Sequence, residues 1–173
     1  KLIQIYMDNI SSAKWLDLLP ESDNATLVNI SHIGNKLIAN YTKDAHSLIR
    51  TIDENGNFLG NLDNEEIGTI HGFDGAANEF ETFYTVKSYA KPPTIYRYDV
   101  ETNKSTLYKK CEINFDSDDY ITEQKVCTSK DGTQVPMFST HNKGIKLDGN
   151  NPTLLFGYGG FNMSLTPFFK ATR

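Results

Sequence analysis

Short apolar runs separated by polar turns recur along the chain, and no long apolar stripe at helical spacing interrupts them. Residues 2–7 alternate, residues 27–30 are apolar and stop before Gly34-Asn35, and residues 37–41 run to a break at Lys43-Asp44. Residues 47–53 end at Glu54-Asn55-Gly56, and residues 58–62 return from it. An Asn-Gly pair between two strand-like runs is a strong hairpin signal, because these residues tolerate the positive φ that tight hairpin turns require. The same order then repeats. Residues 67–73 precede Asp74-Gly75, residues 79–89 precede Lys91-Pro92-Pro93, residues 94–99 precede Glu101-Thr102-Asn103, and residues 106–109 close the series. The spacing predicts two successive sets of four strands with a period of about 40 residues, the size of a β-propeller blade. An ordinary β-sandwich is the alternative that the period alone leaves open. Two blades cannot close a ring, so a propeller implies further chain upstream.

At residues 111–119 the pattern changes. Asp116-Ser117-Asp118-Asp119 lacks the spaced ligands of an EF-hand and reads as a solvated linker. The domain boundary is placed there, between residues 112 and 113. Residues 120–128 and 133–139 predict a hairpin turning at Asp131-Gly132. Pro136 has no N–H to donate, so its strand should have one unpaired side. A polar loop over residues 143–151 leads to the apolar run 153–156, which predicts a third, buried strand. That run ends in Gly157-Tyr158-Gly159-Gly160-Phe161-Asn162, glycine punctuation for a sharp turn. On that turn Tyr158 and Phe161 are either two rings packed beneath a loop, or a phenol that donates a hydrogen bond and a ring that lines a pocket. A hairpin followed by a buried strand is how many α/β-hydrolase sheets begin, and in that fold the loop after the third strand supplies part of the oxyanion hole. The pattern is compatible with all-β propeller blades over residues 1–112 followed by the first strands of an α/β-hydrolase domain over residues 113–173, with the sandwich still open for the first part.

Composition narrows the function without naming it. With 173 residues and a net charge of −5, the chain has no basic stripe of the kind a nucleic acid requires. No run approaches the roughly 20 apolar residues of a membrane span, and the N-terminal stretch, which meets Asp8 after a short apolar run, is not built like a signal peptide. The triplets Asn24-Ala25-Thr26 and Asn29-Ile30-Ser31 would matter only in a secreted chain. Cys111 and Cys127 form no Cys-x-x-Cys or Cys/His cluster, so reduced thiols, no metal, no cofactor and a cytoplasmic location are expected. The chain also lacks an initiator Met, as a fragment or a processed product would.

Several segments together carry a family resemblance. Thr128-Ser129-Lys130-Asp131-Gly132-Thr133, Pro136-Met137-Phe138, residues 143–149 and Gly157-Tyr158-Gly159-Gly160-Phe161-Asn162 resemble the start of the catalytic domain of the prolyl oligopeptidase family of serine peptidases. Upstream, Pro92-Pro93-Thr94-Ile95-Tyr96-Arg97-Tyr98-Asp99 resembles the last propeller blade of that family. The resemblance implies a seven-bladed propeller capping an α/β-hydrolase domain, an active site between them, and hydrolysis of short peptides on the carboxyl side of proline. It implies that Tyr158 completes the oxyanion hole and that Phe161 lines the pocket for the proline ring. Acyl transfer develops negative charge on the scissile carbonyl oxygen, and a pre-aimed phenol O–H can stabilise it.

The same resemblance exposes what this stretch lacks. No Gly-x-Ser-x-Gly occurs, and His32, His46, His71 and His141 read as turn or surface histidines with their hydrogen bonds satisfied, outside the region where the triad is expected. The chain is therefore expected to be a fragment, inactive alone, of a monomeric enzyme whose partners are short proline-containing peptides. Two other readings are open. One is a propeller-derived binding module that never cleaves. The other is an oligopeptidase B-like peptidase, which would need acidic residues near Phe161 to hold a basic side chain.

Overall fold

The computed structural model describes residues 1–8, 10–11, 15–63 and 66–170. Among them there is no α-helix, only strands and short 3-10 turns, and no helix is long and apolar enough to cross a membrane.

The chain opens with β1 (Leu2–Gln4), paired antiparallel with β2 (Leu16–Leu19). β2 is a short strand that the apolar pattern did not single out. Next comes a four-stranded meander, β3 (Thr26–Ile33), β4 (Lys36–Lys43), β5 (His46–Asp53) and β6 (Phe58–Asn61), each strand bonded to its neighbour in sequence. A second meander follows, β7 (Thr69–Gly72), β8 (Glu81–Lys87), β9 (Thr94–Asp99) and β10 (Lys104–Lys110). These are the two blade-like sets that the pattern predicts. The β5–β6 hairpin turns at the expected Asn55-Gly56, with Gly56 at φ 87°. The Asp53 carboxylate closes that turn by accepting the Asn55 and Asn57 N–H groups at 2.9 and 2.8 Å.

Two-residue periodicity decides which side chains meet between the sheets. Ile38 on β4 and Ile49 on β5 face the second meander and join Ile70, Tyr84, Val86 and Tyr98 in one buried core. Their neighbours Ala39, Tyr41 and Ile52 face the other way and form a second core with Leu19 of β2. On β3, Leu27 and Ile30 share that second face although three positions apart, because a bulge between Leu27 and Asn29 shifts the register. Burial of this kind stabilises by about 25 cal/mol per Å² of apolar surface removed from water. Across the sheets, Asn40 donates through Nδ2 to the Ile70 carbonyl at 2.9 Å, and Lys36 donates through Nζ to the Val100 carbonyl and, at 3.1 Å, to Asn103 Oδ1.

Beyond β10, a 3-10 turn at Ser117–Asp119 leads into β11 (Tyr120–Thr128) and β12 (Gln134–Asn142), an antiparallel pair in continuous register. Pro136 lies on β12 opposite Val126, in a sheet of two strands, so one side of β12 is unpaired. The expected third strand does not form. Residues 153–156 belong to no sheet, with Leu154 and Leu155 80% and 86% exposed. A strand is held by its neighbours, and residues 153–156 pair with none of the described strands, although the β11–β12 sheet has open edges.

Candidate functional site

Upstream of the glycine-rich stretch, the loop over residues 146–151 is closed by local hydrogen bonds. Asp148 accepts the Asn150 N–H at 3.1 Å, which holds its carboxyl below the usual range, and Asn151 Nδ2 donates to the Lys146 carbonyl at 2.7 Å. Residues 152–159 then run exposed to a single 3-10 turn, Gly160–Asn162, closed by the Met163 N–H donating to the Gly160 carbonyl at 3.1 Å. Within it Phe161 takes a left-handed φ of 54°, a strained region for an aromatic residue and one that clusters at functional sites.

Phe161 stands in this turn and Tyr158 two residues before it. Tyr158 is 50% exposed and Phe161 is 94% exposed. Within these residues both rings are accessible to solvent. The Tyr158 phenol folds back over Gly160, the half-buried member of the turn.

Downstream, the chain is anchored. Pro167 is fully buried, and its carbonyl accepts the Thr69 hydroxyl of β7 at 2.7 Å. Phe168 lies 6.3 Å from Tyr89, whose ring is also 5.4 Å from Phe138 of β12. Phe169 meets Phe115 edge-on at 5.3 Å, and Phe115 stacks on Tyr120 at 5.0 Å. The second meander, the hairpin and the chain after the site turn are thus joined through an aromatic seam. Sequence reasoning missed this seam; its only signal was the apolar cluster Pro167-Phe168-Phe169, which has no period to read.

Beside the seam is a cavity of about 250 Å³, bordered by Glu66, Lys91, Asp118 and Lys143, with Glu66 and Lys91 ion-paired. Burial and the nearby Glu66 charge push the Tyr96 phenol up. Of the four histidines, His32 contacts Glu54 at 2.9 Å. His141 departs from expectation: its Nδ1 is 3.0 Å from the Asn142 carbonyl, but its buried Nε2 has no hydrogen bond and lies 3.8 Å from Glu123. Among the described residues no group of three or more His, Cys, Asp and Glu side chains converges as a metal site. Among the described residues, His32, His46 and His141 make their contacts away from the Tyr158 turn.

The family model for the prolyl oligopeptidase N-terminal beta-propeller domain matches residues 1–111. Over 173 residues the chain is 37% identical to a prolyl endopeptidase from Elizabethkingia miricola, covering 100% of this chain and 24% of that protein. A structure from a structural and mechanistic study of two prolyl endopeptidases aligns with a TM-score of 0.88 at 34% identity, over 98% of this chain and 25% of that one. Prolyl oligopeptidase B from Galerina marginata, bound to a 35mer hydrolysis and macrocyclization substrate, aligns with a TM-score of 0.84 at 28% identity, over 97% of this chain and 24% of that one. The chain spans about a quarter of the length of the curated relatives it matches.

Proposed function

Because the chain belongs to the prolyl oligopeptidase family, we propose that it forms part of a serine-type endopeptidase that hydrolyses short peptides on the carboxyl side of proline. In this reading residues 1–112 are the C-terminal blades of a seven-bladed propeller, and residues 113–173 begin the α/β-hydrolase catalytic domain. Tyr158 donates its phenol proton to the oxyanion of the tetrahedral intermediate. Phe161 gives an apolar face to the pyrrolidine ring of the substrate. The serine, aspartate and histidine of the triad come from chain outside these residues, so the 173-residue piece alone is inactive.

The observation that supports the reading is the 37% identity over the whole chain to a prolyl endopeptidase, with Tyr158 and Phe161 close together in one glycine-rich stretch and Phe161 in a left-handed conformation. Phe161 is exposed within these residues, and a substrate ring or the rest of an active site would supply its burial. A pre-aimed phenol stabilises charge that develops only in the transition state, so it acts on kcat more than on KM. The test is Tyr158→Phe in the full-length protein, assayed on a chromogenic Gly-Pro substrate. The expected result is a fall in kcat of about 10²–10³-fold, the usual effect of losing one oxyanion donor. An unchanged kcat reduces Tyr158 to a packing residue.

A further inference from the structure

One glycine of the site turn has the place of its missing side chain occupied by Tyr158. A Cβ at Gly160 would stand 2.9 Å from Tyr158 Oη and 3.1 Å from Cζ. At Gly157 and Gly159 nothing lies within 4 Å of the corresponding position. Nor does the backbone demand glycine at 160, since Gly160 is not among the glycines with positive φ. The phenol two residues earlier is what makes a side chain unwelcome there.

We propose that Gly160 is a positioning residue for the Tyr158 hydroxyl, its bare α-carbon being the seat that sets where the phenol tip lies. This rests on the reading of Tyr158 as the oxyanion donor. The atoms a methyl group at 160 would crowd belong to the tip of the phenol and not to backbone. Gly160→Ala is therefore accommodated by moving the hydroxyl while the turn persists. Oxyanion donors work within a narrow range of about 2.7–3.1 Å, and a misplacement of about 1 Å at an active site can cost ~10²-fold in rate.

The experiment is a double-mutant cycle in the full-length protein, with kcat and KM measured on a chromogenic Gly-Pro substrate for Gly160→Ala, Tyr158→Phe and the double variant. The expected result is a fall in kcat of about 10–10²-fold for Gly160→Ala with KM little changed, and no further fall when Gly160→Ala is added to Tyr158→Phe. If Tyr158→Phe lowers kcat while Gly160→Ala is silent, or if the two losses multiply, positioning by Gly160 is overturned and the oxyanion reading stands. If Tyr158→Phe leaves kcat unchanged, the oxyanion reading falls and takes the positioning role with it. Should Gly160→Ala not accumulate in folded form, the wild-type protein with isotope-labelled glycine decides. Ring-current-shifted Gly160 α-protons with a nuclear Overhauser contact to the Tyr158 ring support the seat; their absence overturns it.

Discussion

Thr69 on β7 donates its hydroxyl to the carbonyl of Pro167 at 2.7 Å, a buried hydrogen bond between residues 98 positions apart. It ties the second meander to the chain just beyond the site turn. Replacing the donor leaves the buried carbonyl unsatisfied, at a cost of about 1–3 kcal/mol. In the full-length protein Thr69→Val should speed hydrogen–deuterium exchange of residues 166–170 while leaving β3–β6 protected. Unchanged exchange across 166–170 would falsify the anchoring role.

Burial pushes the phenols of Tyr84 and Tyr98 up, opposed in part by hydrogen bonding to Ser105 and Thr51 respectively. A raised folded value means that the folded state holds the proton more tightly than the unfolded one. The stabilisation is complete below the ordinary tyrosine value near 10 and is lost as pH climbs through the folded value. Absorbance at 295 nm should therefore show a class of tyrosines ionising late, together with alkaline unfolding. Titration of all tyrosines as one class near pH 10 would contradict the buried assignment.

At acid pH the turn carboxylates act in the opposite sense. Asp53 is held below its ordinary value by hydrogen bonds from Asn57, first from its side chain and then from its backbone, and Asp99 by the backbone N–H and hydroxyl of Thr102. Their contribution is present above the unfolded value of about 3.9 and disappears as pH falls through the folded value. Stability of the full-length protein should therefore decline on acidification below about pH 4, and Asp53→Asn together with Asp99→Asn should flatten that decline. An equally steep acid limb in the double variant would rule these turns out as its source.

Taken alone, the 173-residue chain should melt without a sharp transition, bind an apolar dye and fail to hydrolyse a Gly-Pro substrate. Leu154 and Leu155 are 80% and 86% exposed, and Leu107 and Tyr108 are exposed on β10. Apolar surface of this kind, beside open sheet edges, favours association over a single cooperative fold. A sharp calorimetric transition with no dye binding, or turnover that survives repurification, would overturn this expectation.

The two meanders were legible because their information is local. Alternation on β4 and β5, the Asn55-Gly56 turn and the break at Pro92-Pro93 each act within a few residues. The hairpin β11–β12 and the unpaired side of Pro136 could be read for the same reason. Residues 153–156 could not. Their apolar run specifies a wish for burial, not the neighbours that would grant it, and in the structure they stay exposed. His141 shows the same gap on a small scale: nothing in the sequence says that its Nε2 is buried 3.8 Å from Glu123 without a hydrogen bond.

By itself the sequence determined the β-class, the two four-stranded sets, the hairpin after them and the placement of Tyr158 and Phe161 in one glycine-rich stretch. Hydrophobic period and turn chemistry are properties of adjacent residues, and so they can be read without coordinates. Only the tertiary structure decided that Ile38 and Ile70 share a core, that Thr69 holds Pro167, and that the Tyr158 phenol rests on Gly160. Those contacts depend on where the chain returns in space, and for Tyr158 on a rotamer that no pattern of residues encodes.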